Sequence, residues 1–526
     1  LDDPIICVSK YSVISITTKG AYNKEYTREF KENERTINID FYREINTTDD
    51  WKNINKSTNE NYILMQDLDF KNNPKDGNIY DTYKGKLDGN NHTIRNATGR
   101  EHILVKIENE MKNIKFENIE LNTVHNSAGI IGTANKLENV HAKNVTIIRN
   151  NQNGENGYTG GLVAVAQDTM QNCSINNVTI IDNSTCINYR IGGLVGVANS
   201  VKMTNCFASN VNMKIKNGTY QGVGGLIGSI EVATDIKNCY AHGKIEIDGN
   251  NVGGFIGNWQ AGSIENSYSY VDITGNVGNV GGLVGRSAIN LETKNTITLG
   301  NIYTSKMDTT PKRVLGTRNL KTTNYAYTNQ RINGLIGDIE ENVKLLNAEE
   351  LLNKNTYINL NYGDAFDYAG LEKGILPQLR KIDENGNYQE LLPNQANIHL
   401  DTNDELKIDS IDIQKSAVDK VEGRIVLINT KEVEVVDLEI DGMDVDITDI
   451  ANSKGKTYIN VKAKPHKFYD TYKISKATYN EQGVTKEQSL EGKIELQFFK
   501  EIYNFEDWQN IEKRTYQNYR LMNDID

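Results

Sequence analysis

The sequence predicts a mainly β protein: a right-handed parallel β-helix (a solenoid) flanked by small β-sandwich domains. Three observations lead there. A glycine doublet recurs as Gly160-Gly161, Gly192-Gly193, Gly224-Gly225, Gly253-Gly254 and Gly281-Gly282, at spacings of 32, 32, 29 and 28 residues. An asparagine keeps step with it, at Asn139, Asn172, Asn205, Asn238, Asn266 and Asn295. Polar and apolar residues alternate with period two on either side of this array, in "TINIDFY" from Thr36 and in "GRIVLINTKEVEVVDLEIDGMDVDITDI" from Gly423. A fixed period of this kind marks units too short to bury an apolar face alone, so that copies must stack. Alternation marks half-buried strands.

Taken in order, residues 1–46 read as the carboxy-terminal strands of a preceding β-sandwich. Residues 47–340 form the coil array, which starts through a short helix around Trp51 to Lys56. Residues 341–393 supply a helix and a cap: Asn347 with Glu350 makes a capping box in front of "NAEELLNK", and an open coil end needs cover against edge pairing. Residues 394–503 read as a β-sandwich. Residues 504–526 open the next coil module. The last inference comes from an internal duplication, since residues 50–69 align without gaps to residues 507–526 with 12 identities in 20 positions. The offset of 457 residues predicts a parent with tandem modules.

Stacked coils lie about 4.8 Å apart, so asparagines at one corner can form a hydrogen-bonded ladder. The doublets suit a corner that needs positive φ or close backbone approach. A phosphate-cradling glycine loop would have to open a helix, and no helical period follows any doublet. In every coil a β-branched position follows the asparagine by six or seven residues: Val145, Val178, Val211, Ile245, Ile273 and Ile302. Cys173, Cys206 and Cys239 share one site in neighbouring coils, where Val140, Ser267 and Thr296 also occur. A small buried packing site explains that pattern better than a disulfide or a reactive thiol. Cys7 and Cys186 stand alone.

Three tyrosines, Tyr158, Tyr189 and Tyr220, lie close to successive doublets in long loops. Stacking would put them on one side, where their rings could grip a glycan or a polypeptide, or pack on one another as a surface ladder. The carboxylates Asp67, Asp69, Asp81 and Asp88 are the nearest approach to a carbohydrate-cleaving cluster, with turn-forming aspartate as the simpler reading. Asp437, Asp441, Asp444, Asp446 and Asp449 could serve calcium, but they alternate with apolar residues as on the wet face of a strand. "GRSAI" from Gly285 lacks the last glycine of a serine-hydrolase elbow. A net charge of -12, from 58 basic and 70 acidic residues, argues against nucleic acid as a partner. No run of about 18 apolar residues offers a membrane span.

"YKGKLDGNNHTIRN" from Tyr83, the Gly-Gly-Leu-Val-Gly runs and "DWKNI…YILMQDLDF" from Asp50 together resemble the amino-terminal region of the M26 zinc metallopeptidases, the immunoglobulin A1 protease family. The glycine unit alone is similar to the GLUG repeat of bacterial surface proteins. The resemblance covers residues 47–390. It implies an extracellular, cell-wall-associated virulence protein acting on a host protein or glycoprotein. It also implies a zinc endopeptidase domain elsewhere in the parent, its metal held by a His-Glu-x-x-His pair. The histidines here, at 92, 102, 125, 141, 242, 399 and 466, hold no such pair, so no catalytic residue, metal ligand or cofactor is carried over to this chain. Three functions follow from these residues: a non-catalytic substrate-positioning or spacer module, an adhesin or stalk without protease, and a carbohydrate-active β-helix enzyme.

Overall fold

The computed structural model describes residues 10–12, 15–19, 25–29 and 36–38, and residues 40–524 except for stretches of one to six residues. The chain divides into two units, one of residues 1–333 with 338–400 and one of residues 334–337 with 401–526.

The first unit is a parallel β-solenoid of about nine turns. Its first rung comes before residue 47: Arg43–Ile45 pairs in parallel with Tyr62–Leu64. The connection is the helix Thr48–Asn53, stopped upstream by a capping box between Thr47 and Asp50, and then a 3-10 turn, Ile54–Lys56. Trp51 on that helix is fully buried and donates its indole N–H to the Gly77 carbonyl at 2.8 Å. Ahead of the coil, the described residues form two antiparallel pairs, Lys10–Ser12 with Thr36–Asn38 and Ser15–Lys19 with Glu25–Glu29.

Rung follows rung in register. A five-stranded parallel sheet places Gly160, Gly192, Gly224, Gly253 and Gly281 directly over one another. The doublets are there for close approach, not for positive φ. A Cβ on Gly192 would sit 1.9 Å from the Val195 carbonyl oxygen, and one on Gly193 2.1 Å from that of Gly225. Positive φ belongs to the asparagines: all six of the repeated set lie between 49° and 61°, where asparagine is the best tolerated residue after glycine. Their side chains form a ladder in two runs, with Asn139 donating to Asn113 (2.9 Å), Asn172 to Asn139 (3.0 Å) and Asn205 to Asn172 (2.8 Å), then Asn295 to Asn266 (3.0 Å), interrupted at Asn238.

A second ladder escaped the sequence reading. Asn118, Asn144 and Asn177 each donate to the asparagine one coil earlier, at 2.8–3.2 Å, and all have positive φ. Each sits in an extra residue of its strand. That extra residue is last seen at Asn210, because the next pairing shifts register between Ala208 and Val211. The apolar column expected from the sequence is therefore two columns. Val145, Val178 and Val211 continue into Gly243, whereas Ile245 and Ile273 lie over Met213 and under Ile302. Loss of this bulge accounts for part of the drop in asparagine spacing from 33 residues (Asn205 to Asn238) to 28 (Asn238 to Asn266).

The strand Val343–Leu346 adds to the sheet beside Asn324–Tyr327. From Asn347, which forms the expected capping box with Glu350, the chain turns back along the flank instead of crossing the coil end. It covers an outward column of Phe207, Tyr240, Tyr268 and Ile297 with Leu351, Tyr362, Phe366 and Leu379. Tyr268 donates to the Pro377 carbonyl at 2.9 Å and Tyr362 to that of Ser267 at 3.0 Å. The ladder amides help: Asn172 donates to Ile382 and Asn266 to Asn361, both at 2.7 Å.

In the second unit, a four-stranded and a three-stranded antiparallel sheet share one core built on Ile425, Leu427, Ile459, Tyr472 and Ile474. Beyond it, Lys500–Ile502 pairs in parallel with Tyr519–Leu521. Among the described residues no helix is long and apolar enough to cross a membrane.

Candidate functional site

The three tyrosines do not share one face. Tyr158 pairs with Arg190, while Tyr189 pairs with Gly157 on one side and Tyr220 on the other. Tyrosine precedes the doublet by two, three and four residues in the three coils, and a one-residue slip in a strand reverses the direction of the side chain. Tyr158 is half-buried with the Arg190 guanidinium 5.4 Å from its ring centre. Tyr189 is fully buried beneath Arg149, whose guanidinium lies 3.9 Å from its ring. Its hydroxyl donates to Asn126 at 3.2 Å. Arg149 is paired with Asp182 at 3.1 Å, both with no exposed surface. The side chain of Tyr220 lies outside the described residues.

The cysteine column packs as its small-residue pattern predicts. The Cys173 backbone N–H points at the Cys206 sulfur and that of Cys206 at the Cys239 sulfur, each at 3.4 Å, and the Ser267 hydroxyl takes the same role for Cys239. All three thiols are free and buried, and burial pushes those of Cys173 and Cys206 well above the usual range. Thiolate chemistry has no foothold at those two. Cys7 and Cys186 are outside the described residues.

The carboxylates near the start of the coil are turn and rung ligands. Partial burial would raise the Asp67 carboxyl, but the Thr93 N–H, His92 and Arg95 outweigh it and hold the group below the ordinary value. Asp69 is held low by the Asn96 amide and the Lys71 N–H, and Asp88 accepts from the Asn90 N–H and from Asn113. Asp81 is exposed. The run from Asp437 to Asp449 is divided between Glu434–Ile440 and Met443–Ser453, strands of different sheets. Asp444 pairs with His466 at 3.1 Å and Asp449 accepts from Asn460. Among the described residues no three His, Cys, Asp or Glu side chains converge as a metal site.

What sequence reasoning missed is a cleft of about 740 Å³ across the first turns, lined by residues from Lys75 to Tyr80, Thr98 to Val105 and Glu120 to His125. Register brings these stretches together, with Ile79 beside Leu104 and Thr98 beside Glu120. Tyr80 stands 65 % exposed at its edge. Within it, Glu101 contacts His125 at 3.2 Å and lies 3.9 Å from His102. The Nδ1 of His102 is 3.1 Å from the Gly129 carbonyl, an acceptor, so Nδ1 carries the proton and Nε2 the lone pair. Burial pushes the His102 pKa down, which keeps the ring neutral at pH 7. A neutral imidazole acceptor, carboxylates, amides and an exposed aromatic ring suit a polar ligand with hydroxyl groups. These residues lie outside the repeated pattern, in three separate turns, and only their exposed, unrepeated character could have singled them out.

Residues 219–246 match the GLUG motif. The match spans one coil, from the strand before Gly224-Gly225 to the strand after Cys239. Over 169 residues, 30 % of this chain, the sequence is 32 % identical to halomucin from Haloquadratum walsbyi, and the matched stretch is 2 % of that protein's length. Among solved structures, a Bacteroides ovatus protein named as a candidate immunoglobulin A1 protease aligns with 66 % of this chain and 92 % of its own, at 16 % identity and a TM-score of 0.35. That likeness is too slight to transfer fold or function.

Proposed function

We propose that this chain is a non-catalytic module of a secreted, cell-surface protein, a stiff spacer that also positions substrate for a zinc metalloendopeptidase domain elsewhere in its parent. One observation carries the reading. Most of the residues that recur coil after coil (Asn139, Asn172 and Asn205 in the ladder, the backbone of the glycine doublets, the cysteine column) meet their own counterparts one rung away, and the ladder is interrupted at Asn238. Repetition here serves stacking. The resemblance to the M26 peptidases supports the protease parent, and a GLUG match within it is consistent with a surface protein. The cleft beside Tyr80 is the surface we assign to the host protein or glycoprotein that the module would hold. The halomucin similarity favours a second reading, a surface stalk or adhesin without protease.

The test compares the full-length parent with a form lacking residues 43–400, on folded immunoglobulin A1 and on a short peptide bearing the same scissile bond. The proposal predicts at least a tenfold loss of kcat/KM on the folded glycoprotein with the peptide rate unchanged. Equal rates on both substrates, or no His-Glu-x-x-His domain in the parent, would leave the stalk reading.

A further inference from the structure

The floor of the cleft beside Tyr80 has acceptors that the protein leaves without donors. The Nδ1 proton of His102 goes to the Gly129 carbonyl. Among the described residues nothing hydrogen-bonds its Nε2, and the nearest charged group is the Glu101 carboxylate at 3.9 Å. Asn78 lines the same cleft and is 6 % exposed. Its amide hydrogens go to the Lys75 and Thr98 carbonyls at 2.8 and 3.0 Å, and its Oδ1 has no donor. A buried acceptor without a donor is uncommon and costly. Gly99 keeps the floor free of side chain, since a Cβ there would sit 3.2 Å from that Oδ1.

The edge of the cleft is apolar and fixed. Tyr80 and Val105 line it, both exposed. The Tyr80 N–H donates to the Asn55 side chain at 2.8 Å, and the Asn55 amide donates to the Asn78 carbonyl at 3.1 Å, so the ring stands on a held backbone. Formal charge balances, with Lys75 and Arg100 set against Glu101 and Glu120.

We propose that the cleft binds a neutral saccharide, whose hydroxyls donate to His102 Nε2 and the Glu101 carboxylate while an apolar ring face packs on Tyr80. The proposal rests on the reading of this cleft as the surface that holds a host protein or glycoprotein, and it names the part held. Two acceptors 3.9 Å apart suit neighbouring hydroxyls of one sugar ring, each donating once. An aromatic face beside a few placed polar groups suits the rest of the ring. An anion would be repelled by the carboxylates, and a cation would meet Lys75 and Arg100. A polypeptide offers one backbone donor per residue, where a sugar offers adjacent ones.

Saturation-transfer NMR of the whole chain tests this, with the methyl glycosides of galactose, glucose and mannose and with N-acetylgalactosamine and N-acetylglucosamine as probes. At least one should bind. Tyr80→Ala and His102→Asn should each raise its Kd at least about fivefold, the worth of one net hydrogen bond or a comparable contact. His102→Asn keeps a donor for the Gly129 carbonyl and removes the Nε2 acceptor, and Tyr80→Ala changes an exposed ring, so the two do not share a folding defect. Transfer to none of the probes, or an unchanged Kd in Tyr80→Ala, overturns the proposal. Immunoglobulin A1 that binds equally before and after enzymatic removal of its glycans, with no sugar bound, overturns the saccharide and leaves the cleft a protein-holding surface. Sugar binding lost in both variants, together with unchanged cleavage rates on deleting residues 43–400, upholds the saccharide and removes the positioning role.

Discussion

Two sets of aromatic residues run along the same coils, and only one of them stacks. Phe207, Tyr240 and Tyr268 lie ring over ring, with centres 4.8 and 4.9 Å apart and planes 5° from parallel. Those distances are the spacing between parallel rungs. Tyr158 and Tyr189 diverge, one toward Arg190 and one into a buried pocket. The first set keeps a constant offset, two residues after Asn205, Asn238 and Asn266; the second drifts by one residue per coil. Here the set at a constant offset from a backbone-fixing residue is the one that stacks, and a register shift such as that between Ala208 and Val211 changes the offset of everything after it. The residues that fix the backbone here are the positive-φ asparagines.

The comparison can be broken most severely at the pocket. Asp182→Ala strands the Arg149 guanidinium beneath Tyr189, and removing one partner of a buried ion pair costs about 3–5 kcal/mol; urea unfolding should show it as a lower midpoint. Next comes the stacked column, where Tyr240→Ala should cost about 3 kcal/mol for a large aromatic removed from a packed site. Tyr158→Ala, half-buried, should cost under about 1 kcal/mol. Equal costs for the two tyrosines would remove the distinction between the sets. The asparagines come third. Asn172→Ala loses the left-handed tolerance, the ladder and the bonds to the Ile382 backbone and should cost about 1–2 kcal/mol or more, while Asn172→Gly keeps the backbone conformation and loses only the side-chain hydrogen bonds.

Acid should loosen the same stack. Burial lowers His141 from 6.5 to about 3 and His242 to about 4, and it lowers His102 as well. A depressed histidine pKa means that the unfolded chain takes up protons first as pH falls through 6.5. Stability is therefore whole above that pH and declines toward pH 4, by up to about 1.4 kcal/mol per pH unit for each such histidine. Thermal melts across this range, with His141→Gln flattening the slope, check it. The smallest stability effect is expected at the cleft, where Tyr80→Ala should leave the melting temperature unchanged yet weaken binding of the host glycoprotein.

Much of this was legible in the sequence because the decisive residues are local. Asn139 to Asn295 declare the corner by spacing alone, and Asn347 with Glu350 declares a helix start. The flank cover was not legible, since Tyr362 and Phe366 meet Tyr268 across about a hundred residues and no period connects them. The displaced Ile245 column was hidden for another reason: a single-residue bulge changes register without changing composition. The cleft beside Tyr80 is assembled from three turns that share no motif.

Register is the claim on which the rest stands, and cysteine pairing measures it. Thr179 lies directly beside Asn212, two residues short of Lys214, at a rung spacing of about 4.8 Å that a disulfide can bridge. Thr179→Cys with Asn212→Cys should oxidise to a disulfide, and Thr179→Cys with Lys214→Cys should not. Cross-linking of the second pair, or of neither, would contradict in-register stacking.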